Sequence, residues 1–197
     1  MFDKAFDAAA KNIGSTDPHS ANYSLIAVFG RAFTRIFKNE GGFQADPKDR
    51  GNWTSGRIGV GRLVGTKYGI SAMTYPHLDI RNLTIDQAKA IYKRDWWDKL
   101  RMDQMHSALQ YQIFDAAINH GATRAAKFLQ SACGARPDGI IGPNTISAVT
   151  SKDVNDMLML FLAERLQFMT EIRTWVTYGK GWARRIAHNL RLAAEDN

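Results

Sequence analysis

Apolar residues recur at helical steps along most of this chain, and the exceptions are concentrated in one stretch. Leu25, Phe29, Phe33 and Ile36/Phe37 mark one face of a helix expected from about Ser24 to Asn39. Gly41 and Gly42 stop it, since a helix C-terminus favours a residue that adopts positive φ. Between Gly41 and Pro76 the period breaks. Eight glycines with scattered Val, Ile, Thr, Trp and Tyr predict loops and short strands, including a small hairpin at Thr54 to Gly61. Helical spacing resumes at Leu83, where Thr84-Ile85-Asp86-Gln87 forms a capping box that opens a helix reaching Trp96-Trp97. Leu109, Ile113 and Ala116/Ala117 give a further stripe ended by Asn119-His120-Gly121, and Ala125, Phe128, Leu129 and Ala132 give another stopped by Gly134. Pro143 suits the first position of a helix. Val154, Leu158, Phe161/Leu162, Met169 and Ile172 mark a long helix, and Trp182, Ile186, Leu190 and Ala194 mark the last.

These elements predict an α+β domain, predominantly α, in which a loop-and-hairpin lobe follows the first long helix. Residues 1–23 read as an extension with a turn-rich linker, and residues 24–197 as the domain proper. Within the domain, residues 24–105 form one part with the small lobe and residues 106–197 a helical part. A cleft between two lobes is the expected ligand site of such a layout.

Composition narrows the classes. At 197 residues, 45% hydrophobic and 23% charged, the chain can bury a sizeable core, and disordered and fibrous classes are excluded. The single Cys133 excludes a disulfide framework. The N-terminus lacks the basic and long apolar regions of a signal peptide, and no uncharged apolar run is long enough to span a bilayer. A net charge of +7 favours polyanionic partners such as nucleic acid, anionic lipid or acidic wall polymer. Nucleic acid has only that charge in its favour, with no zinc-finger spacing, basic run or aromatic-stacking signature. The histidines show no metal-ligand spacing.

Candidate chemistry gathers where the first helix stops. Glu40 is expected in the last helical turn, whose exposed carbonyls push a carboxylate towards its protonated form, the state a general acid needs. The competing reading is a helix ending in a solvated Glu beside Lys38. Asp46, Asp49 and Thr66 are the polar groups best placed to join Glu40. Glycoside hydrolysis commonly pairs a proton-donating carboxylic acid with a second carboxylate that activates water or stabilises the sugar cation. Asp46 and Asp49 equally suit turns, and Thr66 a strand.

The motifs Glu40-Gly41-Gly42-Phe43, Asp46-Pro47-x-Asp49, Gly51-Asn52-Trp53-Thr54, Gly56-x-x-Gly59-Val60-Gly61 and Gly65-Thr66-Lys67-Tyr68-Gly69-Ile70-Ser71 resemble glycoside hydrolase family 108. These are the lysozyme-like N-acetylmuramidases of phage and prophage endolysins. The resemblance continues through Trp96-Trp97-Asp98, Phe114-Asp115-Ala116-Ala117-Ile118-Asn119-His120-Gly121 and Leu129-Gln130. Asp138-Gly139-Ile140-Ile141-Gly142-Pro143-Asn144-Thr145 and Tyr178-Gly179-Lys180-Gly181-Trp182-Ala183-Arg184-Arg185 are similar to the peptidoglycan-binding region that accompanies the family's catalytic part.

The resemblance implies a lysozyme-like two-lobed fold and cleavage of the β-1,4 bond between N-acetylmuramic acid and N-acetylglucosamine in peptidoglycan. It implies Glu40 as the acid, with Asp49 and Thr66 as its partners. Asp46 and Thr54 remain rivals, because the segment from Trp53 to Val64 lengthens the spacing. Trp53 and Tyr68 are candidates for substrate contact, and Asp115 and Asn119 for lining the cleft or for a buried network. No cofactor is implied, and a monomer is expected. The basic last helix, with Lys180, Arg184, Arg185 and Arg191, is a candidate for an anionic outer-membrane surface or for ordinary packing. The expected setting is the host cytoplasm until a holin-type pore gives access to the wall. Two other classes compete: a lytic transglycosylase on the same fold, and a non-catalytic cationic wall-binding or membrane-active protein.

Overall fold

The computed structural model of the chain describes residues 18–37 and 42–197, with side chains of the first helix described from residue 27. The described residues form a predominantly α, α+β fold whose strands make one two-stranded sheet. The chain divides into two compact units, residues 33–93 and residues 1–32 with 94–197.

The first helix, α1 (Pro18–Phe37), begins six residues before the expected Ser24. The Pro18 read as part of a linker is its first residue, where a missing N–H costs nothing. Its predicted face is buried at Phe29, Phe33 and Phe37.

In the unit of residues 33–93, Phe33, Phe37 and Tyr92 form a ring cluster, with centroid separations of 4.6, 4.6 and 5.8 Å. Tyr92 ends α2 (Ile85–Tyr92), which carries the predicted capping box. Gln87 N–H donates to Thr84 Oγ1 at 3.2 Å, and Thr84 N–H donates to Gln87 Oε1 at 2.8 Å. Ile70, Ala72, Ile80, Leu83 and Ala88 complete the core of this unit.

The hairpin lies elsewhere than predicted. Strands β1 (Thr66–Lys67) and β2 (Ile70–Ser71) pair antiparallel, Thr66 opposite Ser71. Tyr68 and Gly69, with φ of 51° and 73°, make the two-residue turn whose positive φ values suit the strand twist. The segment 54–61 forms no strand. Gly56, Gly59 and Gly61 all take positive φ, which breaks any extended run. It is a loop instead, closed by a Trp53–Leu63 bridge and by Ser55 Oγ donating to the Val60 carbonyl at 2.7 Å.

The unit containing residues 94–197 is built around α3 (Ser107–His120), which is buried on every side from Ala108 to Ala117. It packs against α4 (Ala122–Cys133), α6 (Val154–Glu171) and α7 (Trp175–Asp196), while α5 (Pro143–Thr150) packs on α4. Phe29 of α1 meets the Trp97 and Phe114 rings edge-on at 5.1 and 5.9 Å. Gly121 and Gly134 stop α3 and α4 at positive φ, and Pro143 opens α5, as predicted.

The last helix corrects one expected stripe. Leu190 and Ala194 face solvent, and the buried line is Gly179, Ile186, Asn189, Leu192 and Ala193. Asn189, a polar residue that hides the stripe from a hydrophobic count, sits at the centre of that line.

Candidate active site

Residues 42–54 contain little regular structure, so side chains supply much of the order. Gln44 and Thr66 exchange backbone hydrogen bonds at 2.9 and 2.8 Å, tying this segment to β1. At the Asp46-Pro47-Lys48-Asp49 turn the Asp46 carboxylate accepts from Lys48 N–H at 2.9 Å. Asp49 caps the single 3₁₀ turn Arg50–Asn52, its Oδ1 accepting from Gly51 N–H at 2.8 Å. Its Oδ2 accepts from Gln44 Nε2 at 3.2 Å.

The chain of contacts continues from Gln44. Gln44 and Asn52 pair through their carboxamides, with Asn52 Nδ2 donating to Gln44 Oε1 at 2.7 Å and Gln44 Nε2 donating to Asn52 Oδ1 at 3.1 Å. Thr66 Oγ1 donates to the same Asn52 Oδ1 at 2.7 Å. Asp49 and Thr66, seventeen residues apart in the sequence, are therefore joined by two amides. Asp49 is exposed, Thr66 half-buried and Asn52 fully buried.

The rival residues are used differently. Asp46 holds its own turn, and Thr54 Oγ1 accepts from Arg62 N–H at 3.0 Å, closing the glycine-rich loop. Neither side chain hydrogen-bonds to the Asp49–Gln44–Asn52–Thr66 series. Trp53 is half-buried with its indole N–H donated to the Pro47 carbonyl at 2.9 Å. Tyr68 is half-buried at the hairpin turn, with the Lys67 ammonium 5.4 Å from its ring centroid. Glu40, the expected acid, lies outside the described residues.

Asp115 occupies the network alternative in place of a cleft-lining position. It is 1% exposed, so its carboxylate has no face to offer a ligand. Arg165 Nη1 and Arg185 Nη2 each reach it at 2.6 Å, and Asn189 Nδ2 donates to it at 2.9 Å. Burial alone would raise its pKa. The Arg185 hydrogen bond, the charges of both guanidinium groups and the Asn189 bond outweigh burial and hold it at about 2. Asn119 is exposed and donates to the Asp115 backbone carbonyl at 2.7 Å. His120 Nε2 accepts from Arg165 Nε at 3.1 Å. Burial, then the Arg165 charge, lowers the His120 pKa to about 4. Arg185, counted among the basic residues of the last helix, is thus turned inward.

Two groups of residues escaped the sequence reading. Gln44 and Asn52 stand among turn formers and carry no periodic signal. Arg165 did carry one, since it falls at the helical step between Phe161/Leu162 and Met169. Among the described residues no group of three His, Cys, Asp or Glu side chains gathers to hold a metal ion, and no described helix is long and apolar enough to cross a membrane.

Residues 33–121 match the family described as glycosyl hydrolase 108. No curated protein matches the chain. Eleven solved chains do. SagA of Brucella abortus is similar to this chain at 28% identity and a TM-score of 0.71, over 87% of this chain and 96% of that one. The matched family segment contains Glu40, the whole Asp49–Gln44–Asn52–Thr66 series and Asp115. The activity class this supports is a glycoside hydrolase.

Proposed function

We propose, from the premise that residues 33–121 make this chain a member of the glycosyl hydrolase 108 family, that it hydrolyses the glycan strand of bacterial peptidoglycan. The bond cut is the β-1,4 link between N-acetylmuramic acid and N-acetylglucosamine. The observation that carries the reading is the hydrogen-bonded connection of Asp49 to Thr66 inside the matched segment.

In this reading Glu40 donates its proton to the glycosidic oxygen as the bond to the sugar carbon breaks. The Asp49 carboxylate receives an N–H on each oxygen and keeps lone pairs on both, so it can face the positive charge developing on the sugar or take a proton from water. Thr66 holds that water. Trp53 and Tyr68, each half-buried, are the proposed sugar contacts.

The net charge of +7 suits an acidic wall polymer and speeds encounter with it. The proposed setting is phage-driven lysis, with the protein held in the host cytoplasm until a holin-type pore opens and then acting as a monomer on the wall.

The test is digestion of purified peptidoglycan by the wild type and by Glu40→Gln, with mass spectrometry of the fragments. Reducing N-acetylmuramic acid ends from the wild type, missing with a folded Glu40→Gln, are the expected result. 1,6-Anhydro ends would replace the hydrolase with a transglycosylase, and intact glycan with a folded wild type would leave the cationic wall-binding class in its place.

A further inference from the structure

Asn52 carries no ionisable or nucleophilic atom, yet it is the fully buried member of the series. Backbone groups fix which end of its carboxamide is which. The Asp46 carbonyl, which can only accept, lies 3.0 Å from one end and identifies it as the NH2 group. Gln44 is pinned the same way, because the Asp46 N–H, which can only donate, meets its Oε1 at 3.1 Å. Each carboxamide then has two donor and two acceptor contacts, and neither can rotate without breaking several hydrogen bonds.

This determines the Thr66 hydroxyl. Asn52 Oδ1 has no hydrogen to give, so the 2.7 Å contact has one direction and Thr66 is the donor. The hydroxyl proton is committed, and only the lone pairs of Oγ1 remain. A water at Thr66 must therefore donate to it. That orientation matters chemically. A water that donates keeps its own lone pairs for a sugar carbon, whereas a water that accepts from a hydroxyl has one of them engaged.

We propose that Asn52 is a positioning residue, acting through Thr66. It locks that hydroxyl as an acceptor of the hydrolytic water, and this is its whole effect on the chemistry. The proposal rests on the reading of Thr66 as the residue that holds the water.

The experiment is a double-mutant cycle on the full chain, with steady-state kinetics on solubilised glycan strands and urea unfolding of every variant. Thr66→Val removes the hydroxyl at nearly constant shape. Asn52→Ala removes the acceptor that orients it. Each single variant should lower kcat by roughly a hundredfold, the loss a misplaced reactant produces, with KM nearly unchanged. In the Thr66→Val background Asn52→Ala should cost no further kcat while still lowering stability. Equal kcat losses in both backgrounds, or a loss confined to KM, would overturn the positioning role. Wild-type kcat in Thr66→Val would instead remove the water-holding reading on which the role depends.

If Asn52→Ala does not fold, NMR of the wild type decides. A slowly exchanging Thr66 hydroxyl proton with a cross-peak to the Asn52 carboxamide is expected. A freely exchanging one would end the proposal.

Discussion

Arg165 Nη1 lies 2.6 Å from Asp115 Oδ2, and the two side chains are 0% and 1% exposed. Neither charge reaches water, so each depends on the other, and Asp115 is held further by Arg185 and Asn189. Removing one partner of such a pair leaves the other charged and buried, which typically costs about 3–5 kcal/mol. Asp115→Leu should therefore lower the urea unfolding free energy by about that amount. Adding Arg165→Met should restore part of it, because the stranded charge is then gone. A double variant less stable than Asp115→Leu alone would contradict this account.

Acid should weaken the fold in two windows. The folded chain keeps His120 neutral down to about 4, while the unfolded chain protonates it near the ordinary histidine value of 6.5. The unfolded state binds the extra proton between those values, so stability falls as pH drops through them. Asp115 acts lower: its contribution is complete above 3.8 and is lost as pH falls towards about 2. His120→Gln, whose amide oxygen can accept from Arg165, should flatten the decline measured by urea unfolding from pH 7 to pH 4.5. An unchanged slope would assign that decline to other groups.

Gly69 combines two constraints. Its φ is 73°, and a Cβ built there collides with the Tyr92 hydroxyl. Gly69→Ala should destabilise by roughly 1–3 kcal/mol from backbone strain alone, with the collision added. Tyr92→Phe removes the colliding atom along with its 3.1 Å bond to the Tyr68 carbonyl. In that background the alanine should cost measurably less, and an equal cost would mean that the steric part is negligible.

Two glycines of α7 should respond with opposite signs. At Gly181 a Cβ meets nothing within 4 Å, so alanine should stabilise by about 0.5–1 kcal/mol through helix propensity. At Gly179 a Cβ lies 2.6 Å from the Trp175 indole, so alanine should destabilise. Thermal unfolding of the two variants compares them directly, and the same sign in both would refute the Trp175 contact.

Local information in the sequence reached a long way. The capping box at Thr84, the stops at Gly121 and Gly134, the Pro143 start and the buried face of Phe29, Phe33 and Phe37 all follow from neighbours within a few residues. Such features depend on backbone propensity and helical period, which are written along the chain itself. The family resemblance was legible for a related reason, since its motifs are short and contiguous. Where local signals competed, reading alone went astray. Residues 54–61 and 66–71 both offer a glycine-bearing hairpin, and only the number of positive-φ glycines each had to accommodate separated loop from ladder.

What the tertiary structure alone decided was the fate of the polar side chains. Thr66 finds Asn52 fourteen residues away, and Asp115 finds Arg165 and Arg185 fifty and seventy residues away. A buried hydrogen bond or ion pair is required by the cost of leaving a polar group dry, but that requirement names no partner. The partner is whichever group the packed chain brings within three ångströms. The sequence thus determined most helix starts and stops, and packing determined that an asparagine in a turn governs a threonine hydroxyl.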